Sequence, residues 1–266
     1  MSMPPLPFQG NAWALSPDGL GVVSQKLGVH APEIWTVLAV ETSGCGYLPD
    51  LRPQILYERH IFHRLTQGKY DDGDSSDPKA GGYGAPGAHQ YDRLALALVK
   101  DRSAALQSCS WGIGQIMGEN YAVAGFPSME QMVAAMSESE DQQLIAMANF
   151  MIGSHLSVSL QAHDWASFAR GYNGPNYAIH RYDIRLNAEF QKYSAEGLPD
   201  LNVRAAQLYL TYLHFHPGPA DGIAGKRTSS ALADFQTQYR LTKTSIIDPE
   251  TDAQLSSILA ATSLLL

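Results

Sequence analysis

Ala31-Pro-Glu-Ile-Trp-Thr-Val-Leu-Ala-Val-Glu41-Thr-Ser-Gly-Cys-Gly46 is the stretch on which the reading of this chain turns. Pro32 suits a first helical turn and Gly44 a C-terminal stop, so the spacing predicts a helix over 31–43. At 3.6 residues per turn, Glu41 falls on the same arc as Ile34, Val37 and Leu38. A carboxylate on an apolar arc is desolvated, and the negative end of the helix dipole pushes the same way, so both favour the protonated acid. A carboxylic acid kept protonated near neutral pH is what protonates a leaving sugar oxygen. The competing reading is a structural glutamate paired with Arg52 or Arg59, and the helix alone does not separate the two.

Length and composition bound the setting. The 266 residues, 45% hydrophobic and 17% charged, suffice for one large domain or a medium domain plus a small one. A net charge of −8 without a basic run argues against nucleic acid as a partner. Residues 1–8 lack a basic region followed by an apolar one, so no secretory signal is expected. No apolar run reaches the roughly 18 residues a membrane span needs, so no membrane insertion is expected. The apolar end, Ile258 to Leu266, is expected to pack a last helix. Two cysteines, Cys45 and Cys109, are too few for a disulfide scaffold. Free thiols are the default for synthesis in a reducing cytoplasm. Each cysteine nevertheless lies beside a motif assigned below to one site, which leaves a bridge open.

Helical periodicity covers 17–29, 91–107, 128–136, 138–153, 156–162 and the region near 177–193, while Gln54 to Glu58 reads as an extended segment. Gln67 to Gln90 is a long polar loop. Its Asp72, Asp74 and Asp77 suggest a cation, but Gly73 is misplaced for a calcium loop and no acid follows at the twelfth position. His60 and His63 lack a His-Glu-x-x-His pattern and an evident third ligand, so no metal and no cofactor is expected. Ser194 to Asp200 breaks the pattern. The division is therefore a catalytic domain over 1–194, a linker over 195–201 and a small domain over 202–266. The expected fold class is mainly α, with a small extended or β element in the first domain and three helices in the second.

Two segments bear on Glu41. In Ser108-Cys-Ser-Trp-Gly-Ile-Gly-Gln-Ile-Met-Gly-Glu-Asn-Tyr121, Gly112 and Gly114 flank a turn where backbone can approach a ligand. Gln115 there offers an amide to sugar hydroxyls, and Ser110, Trp111 and Tyr121 are further candidates for substrate contact. In Asp164-Trp-Ala-Ser-Phe-Ala-Arg-Gly-Tyr-Asn-Gly-Pro-Asn-Tyr177, the aromatic residues suit stacking on pyranose faces and the Tyr172 hydroxyl suits holding a carboxyl group. Either segment alone is an ordinary turn sequence.

Together and in order, these segments resemble the lysozyme superfamily that includes goose-type lysozymes and soluble lytic transglycosylases. The fuller wording is similar to the phage-type N-acetylmuramidase domain. It is carried by Arg52-Pro-Gln-Ile-Leu-Tyr-Glu-Arg-His60, Gly81-Gly-Tyr-Gly84, Ser110-Trp-Gly-Ile-Gly-Gln-Ile-Met-Gly118 and Phe168-Ala-Arg-Gly-Tyr-Asn-Gly-Pro175, over roughly residues 12–193. The resemblance implies a lysozyme-like helical domain with Glu41 as catalytic acid, Gln115 in contact with substrate, Tyr172 supporting the acid and Asn173 lining the cleft. Hydrolysis also needs a group that positions water, for which Glu58 is the candidate; Glu119 and Asp164 are lesser ones, and an ion pair with Arg59 or Arg64 is the alternative for Glu58.

Beyond the linker, Val203-Arg-Ala-Ala-Gln-Leu-Tyr-Leu210, Pro217-Gly-Pro-Ala-Asp-Gly-Ile-Ala-Gly225 and Thr228-Ser-Ser-Ala-Leu-Ala-Asp-Phe-Gln236 resemble the three-helix peptidoglycan-binding domain of wall hydrolases. Asp221 and Gly222 are expected to make the turn, Thr228 to cap the next helix, Phe235 to face the core and Gln236 the binding groove. Tyr239-Arg-Leu241 stands where such domains usually carry a Gly-Leu pair. The expectation is a monomeric modular peptidoglycan hydrolase. A lytic transglycosylase that leaves 1,6-anhydro ends, or a non-catalytic wall-binding protein, are the rivals. As a phage endolysin made in the host cytoplasm it would depend on a holin to reach the wall; an injected effector would also lack a signal.

Overall fold

The computed structural model describes residues 7–42 and 44–263; Ser43, the first six residues and Leu264 to Leu266 lie outside it, including parts of the N-terminal and C-terminal stretches read above. Its α-helices are α1 (Pro17–Leu27), α2 (Ala31–Glu41), α3 (Arg59–Leu65), α4 (His89–Leu98), α5 (Arg102–Gln107), α6 (Met129–Glu138), α7 (Glu140–Gly153), α8 (Leu156–Gln161), α9 (Trp165–Asn173), α10 (Tyr182–Ala195), α11 (Leu201–Tyr212), α12 (Lys226–Gln238) and α13 (Pro249–Ser263). Strands β1 (Ile55–Tyr57), β2 (Cys109–Trp111) and β3 (Ile116–Met117) form one antiparallel sheet in that order. Among the described residues no helix is long and apolar enough to cross a membrane.

Local chemistry accounts for the boundaries. Ser16 caps α1 by accepting from the Gly19 amide at 3.0 Å, Pro17 fills its first turn, and Gly28 closes it at φ 65°. At the start of α2, Glu33 reaches back to the His30 amide at 3.1 Å. The helix ends at Glu41, two residues before the predicted 43, because Thr42 turns to extended backbone. Its hydroxyl donates to the Leu38 carbonyl at 2.6 Å. The single helix predicted over 91–107 is two, since Asp101 caps a fresh start by accepting from the Ala104 amide at 2.9 Å. Helices α3 and α9 were not expected.

The first core is built around α2, whose Ile34, Trp35, Val37, Leu38 and Val40 are all buried. It packs against α10, while α7 packs against α1. Helices α11, α12 and α13 close over a second core of Leu210, Leu232, Phe235 and Leu255. A third cluster spans the two units: Ala12, Ala14, Tyr47 and Leu51 meet Leu208, Tyr212, Ala220 and Leu259. The Tyr212 hydroxyl donates to the Ala12 carbonyl at 3.0 Å across the same surface. Only residues 196–200 connect α10 to α11, and Asp200 caps α11 by accepting from the Asn202 and Val203 amides.

A shared apolar cluster couples the unfolding of the two units. Leu208→Ala is expected to cost ~2–5 kcal/mol, as for other buried leucines. Calorimetry of that variant should still show one transition; two separated transitions would mean that the units unfold independently.

Candidate active site

Glu41 is the last residue of α2 and is half-buried. Its carboxyl is pushed up from 4.5 to about 7: burial raises it, while the Asn173 hydrogen bond and the charge of Arg185 pull back only part of the way. The Asn173 side-chain amide donates to Glu41 Oε1 at 2.8 Å. Arg185, from α10, donates to the Val40 carbonyl at 3.2 Å. Neither Arg52 nor Arg59 approaches the acid: Arg52 pairs with Asp50 at 2.7 Å and Arg59 with Asp77 at 3.3 Å. That removes the structural ion pair offered as the alternative for Glu41.

The residue assigned to hold the acid needs correction. The Tyr172 hydroxyl lies near enough for the Glu41 charge, after burial, to raise its pKa, but it donates to the Gly114 carbonyl at 2.8 Å and not to the carboxyl. It joins the turn between β2 and β3 to α9, and its neighbour Asn173 makes the hydrogen bond to Glu41. Adjacent helical residues point about 100° apart, so one of the two meets the turn and the other the acid.

The turn between β2 and β3 is held from inside. Gln115 has φ 47°, a left-handed value uncommon for a side chain this size. Its amide stabilises that conformation by donating to the Gly112 carbonyl at 2.8 Å, while its Oε1 accepts from the Ser110 hydroxyl at 2.9 Å. Gln115 is thus partly engaged by the protein, with Ser110 as its buried partner. Trp111 is another correction: it is fully buried and its indole N–H donates to the Leu106 carbonyl at 3.1 Å, so it offers no face to a sugar. Tyr121 packs half-buried against the core. Trp165 and Phe168 are likewise buried, unsuited to the pyranose stacking expected of this segment.

Glu58 follows β1, where its amide donates to the Ser108 carbonyl at 2.8 Å. Burial raises its pKa, opposed by His60 and by a hydrogen bond with Tyr83 of the Gly81-Gly-Tyr segment. Its Oε2 lies 3.2 Å from His60 Nδ1, outside hydrogen-bonding geometry, and both atoms are buried without a hydrogen-bond partner. Arg59 and Arg64 pair instead with Asp77 and with Glu119. Among the described residues no hydrogen bond or ion pair joins Glu58 to Glu41. Glu119 is thus tied to Arg64 at 2.5 Å, and Asp164 caps α9 by accepting from the Ser167 amide at 3.1 Å. In the polar loop, Asp72 accepts from the Asp74, Ser75 and Ser76 amides and pairs with Lys100. His63 lies against Asp71 at 2.8 Å.

Two residues missed by sequence reasoning support the site from below. Glu140 and Gln143 lie one turn apart on α7 and are fully or almost fully buried. Glu140 accepts from the Gly46 amide at 2.8 Å, and Gln143 accepts from the Ile113 amide at 2.6 Å. Gly46 and Gly112 leave no room for a side chain unless Gln143 gives up its position: a Cβ would lie 1.8 Å from the Gln143 oxygen at the first and 2.6 Å from its Cδ at the second. Both cysteines are free: Cys109 is buried, and Cys45, half-buried in the loop between Gly44 and Gly46, donates to the Tyr47 carbonyl.

Residues 30–194, more than half of the chain, match the family model of N-acetylmuramidases. The chain belongs to the N-acetylmuramidase family. Residues 199–255 match the model of a peptidoglycan binding domain, and together the two make this muramidase a peptidoglycan hydrolase. It is similar to the crystal structure of the Burkholderia AP3 phage endolysin at 37% identity and a TM-score of 0.64, over 69% of this chain and 72% of that one. No curated protein matches it.

In the peptidoglycan-binding domain, Asp221 and Gly222 form the expected turn, with Gly222 at φ 74° and its amide donating to Gln207 at 2.9 Å. Phe235 is in the core. Two assignments there are corrected. Thr228 does not cap α12, whose N-cap is Gly225; it is buried inside the helix, accepting from Gln207 and donating to the Pro217 carbonyl. Gln236 does not face a groove either, because it is fully buried and bonded to Thr244, Ser245, Ile246 and Thr251.

The raised pKa carries a sign. Between 4.5 and about 7 the folded protein holds a proton on Glu41 that the unfolded chain releases, so this group's contribution to stability falls as pH rises through that window. Glu41→Gln should therefore be more stable than wild type at pH above 7, with the gain vanishing toward the acid end. Denaturant titrations across pH check this. Asn173→Ala, which removes a donor to the ionised form, should move the titration of Glu41 to higher pH in a pH–rate profile.

Proposed function

We propose that this muramidase hydrolyses the β-1,4 bond between N-acetylmuramic acid and N-acetylglucosamine, with Glu41 as general acid. One observation carries the reading: Glu41 is held near pH 7 at a helix end beside Asn173, with no arginine neutralising it in an ion pair. A proton held there is available to the glycosidic oxygen as the bond breaks and positive charge develops on the sugar ring. Gln115 and Ser110, on the neighbouring turn, and Asn173 are the polar groups assigned to the substrate. Glu58 is assigned the water: its Oε2 has no hydrogen-bond partner and burial raises its basicity.

The catalytic role belongs to residues 1–194 and wall binding to 202–266, with Asp221, Gly222, Thr228, Phe235 and Gln236 maintaining the binding fold. The likeness to a phage endolysin supports wall lysis as the role here; a monomeric state and passage to the wall through a holin are part of the proposal.

Glu41→Gln should reduce release of reducing ends from purified peptidoglycan by roughly 100- to 10,000-fold, with binding to sacculi unchanged. Mass spectrometry of the fragments tests the rest. Hydrolysis leaves N-acetylmuramic acid ends carrying the added water; anhydro ends would make the enzyme a transglycosylase and leave Glu58 without its role.

A further inference from the structure

Arg204 lies on α11, in the peptidoglycan-binding unit, yet its guanidinium is buried in the muramidase unit, 1% exposed, against Glu140, which is 0% exposed. Its Nη1 donates to Glu140 Oε2, and its Nη2 donates both to Glu140 Oε1 at 2.8 Å and to the Gly44 carbonyl at 2.8 Å. Glu140 Oε1 in turn accepts from the Gly46 amide at 2.8 Å. The loop that follows the catalytic helix is thus gripped at Gly44 by one partner of the ion pair and at Gly46 by the other.

We propose that Arg204 is a positioning residue of the active site, through which the peptidoglycan-binding unit fixes the 44–46 loop and hence the end of α2 that carries Glu41. The inference rests on Glu41 being the acid. Packing holds Gly46 but does not fix Gly44. A Cβ built on Gly44 would meet nothing within 4 Å, and a cavity of about 200 Å³ lined by Leu38, Thr42, Gly44, Ile113 and Arg204 adjoins it. With space on one side, hydrogen bonds set the loop's position. The Gly44 amide continues the chain of contacts by donating to Thr42 Oγ1 at 3.1 Å, and that hydroxyl donates into the last turn of α2. On the other side, the Gln54 side-chain amide donates to the Cys45 carbonyl at 3.3 Å, while the Gln54 backbone carbonyl accepts from the Gly112 amide at 2.8 Å. Arg204 therefore sits at the start of a connected path that reaches both the last turn of α2, which ends in Glu41, and the sugar-site turn. A planar fork is needed to serve a carboxylate and a carbonyl at once; the compact ammonium of lysine keeps the charge but lacks that fork.

The test uses the full chain and purified peptidoglycan, at a temperature where each variant is folded by circular dichroism. Arg204→Lys should lower kcat roughly 10- to 100-fold, the scale of a small misplacement of catalytic groups. KM and sacculus binding should stay within about twofold. Tyr212→Phe, in the same interface but bonded to Ala12, removes a hydrogen bond without touching the loop and should leave kcat near wild type. Equal kcat for Arg204→Lys and Tyr212→Phe at equal folded fraction overturns the proposal. If Arg204→Lys does not fold, hydrogen exchange on the wild type decides: the Gly46 amide should exchange with the amides of α11, and exchange much faster than α11 overturns it. An active Glu41→Gln protein would instead defeat the catalytic assignment, whatever Arg204 does.

Discussion

The buried carboxylate of Glu140 is the contact on which the rest of the structure depends. It accepts from the Leu15 amide, the Gly46 amide and both terminal nitrogens of Arg204, so the N-terminal segment, the loop after α2 and the peptidoglycan-binding unit converge on two oxygens. Removing a carboxylate from water costs several kcal/mol, and four donors offset that cost. An apolar pair of similar volume would often be as stable or more so. What the charged pair adds is direction, since Leu15, Gly44 and Gly46 are each held through a specific backbone atom. Gln143, one turn along α7, does the same with a neutral amide, joining the Ile113 amide at 2.6 Å to the Met136 carbonyl at 2.7 Å. Helix α7 thereby supports both loops of the site without touching the acid.

On that support, the acid is set by opposed forces of unequal size. Burial against an apolar helix raises Glu41, and the Asn173 amide and Arg185 oppose it without restoring the ordinary value. A closer arginine would have produced an ion pair and an inert carboxylate. Arg185 is instead bonded to the Val40 carbonyl, where its charge is felt but no pair forms. Among the described residues the hydrogen bond to the carboxyl comes from a neutral amide, which orients the group while its pKa stays at about 7.

Features that depend on local periodicity were legible in the sequence. The apolar arc of α2 placed Glu41, and the Gly-x-Gly-Gln run placed a turn. The structure has both. Features that depend on which way a side chain points were not. Tyr172 and Asn173 were assigned from an irregular Tyr-Asn-Gly tripeptide, and only the helix α9 beneath it shows which of them faces the acid. Trp111 and Gln236 failed for a related reason. A tryptophan or glutamine in a polar stretch reads as exposed until the backbone carbonyls that satisfy it are in view. Glu140 and Arg204 lie 64 residues apart, and each alone reads as a solvated charge on a helix.

The same pair changes what the second unit is for. A wall-binding module on a flexible tether raises the local concentration of the enzyme near its substrate and leaves the cleft free to turn. Here the connection spans only residues 196–200, and the units share an apolar cluster and a buried ion pair, so the cleft keeps one orientation relative to the binding surface. Fixed docking gives up that search in return for geometry. The second unit meets the muramidase unit at one angle, and its helix α11 carries the arginine bonded to the loop beside Glu41. Binding and catalysis are therefore linked through the fold as well as through substrate, because loosening α11 removes Arg204 from Glu140 and Gly44 together.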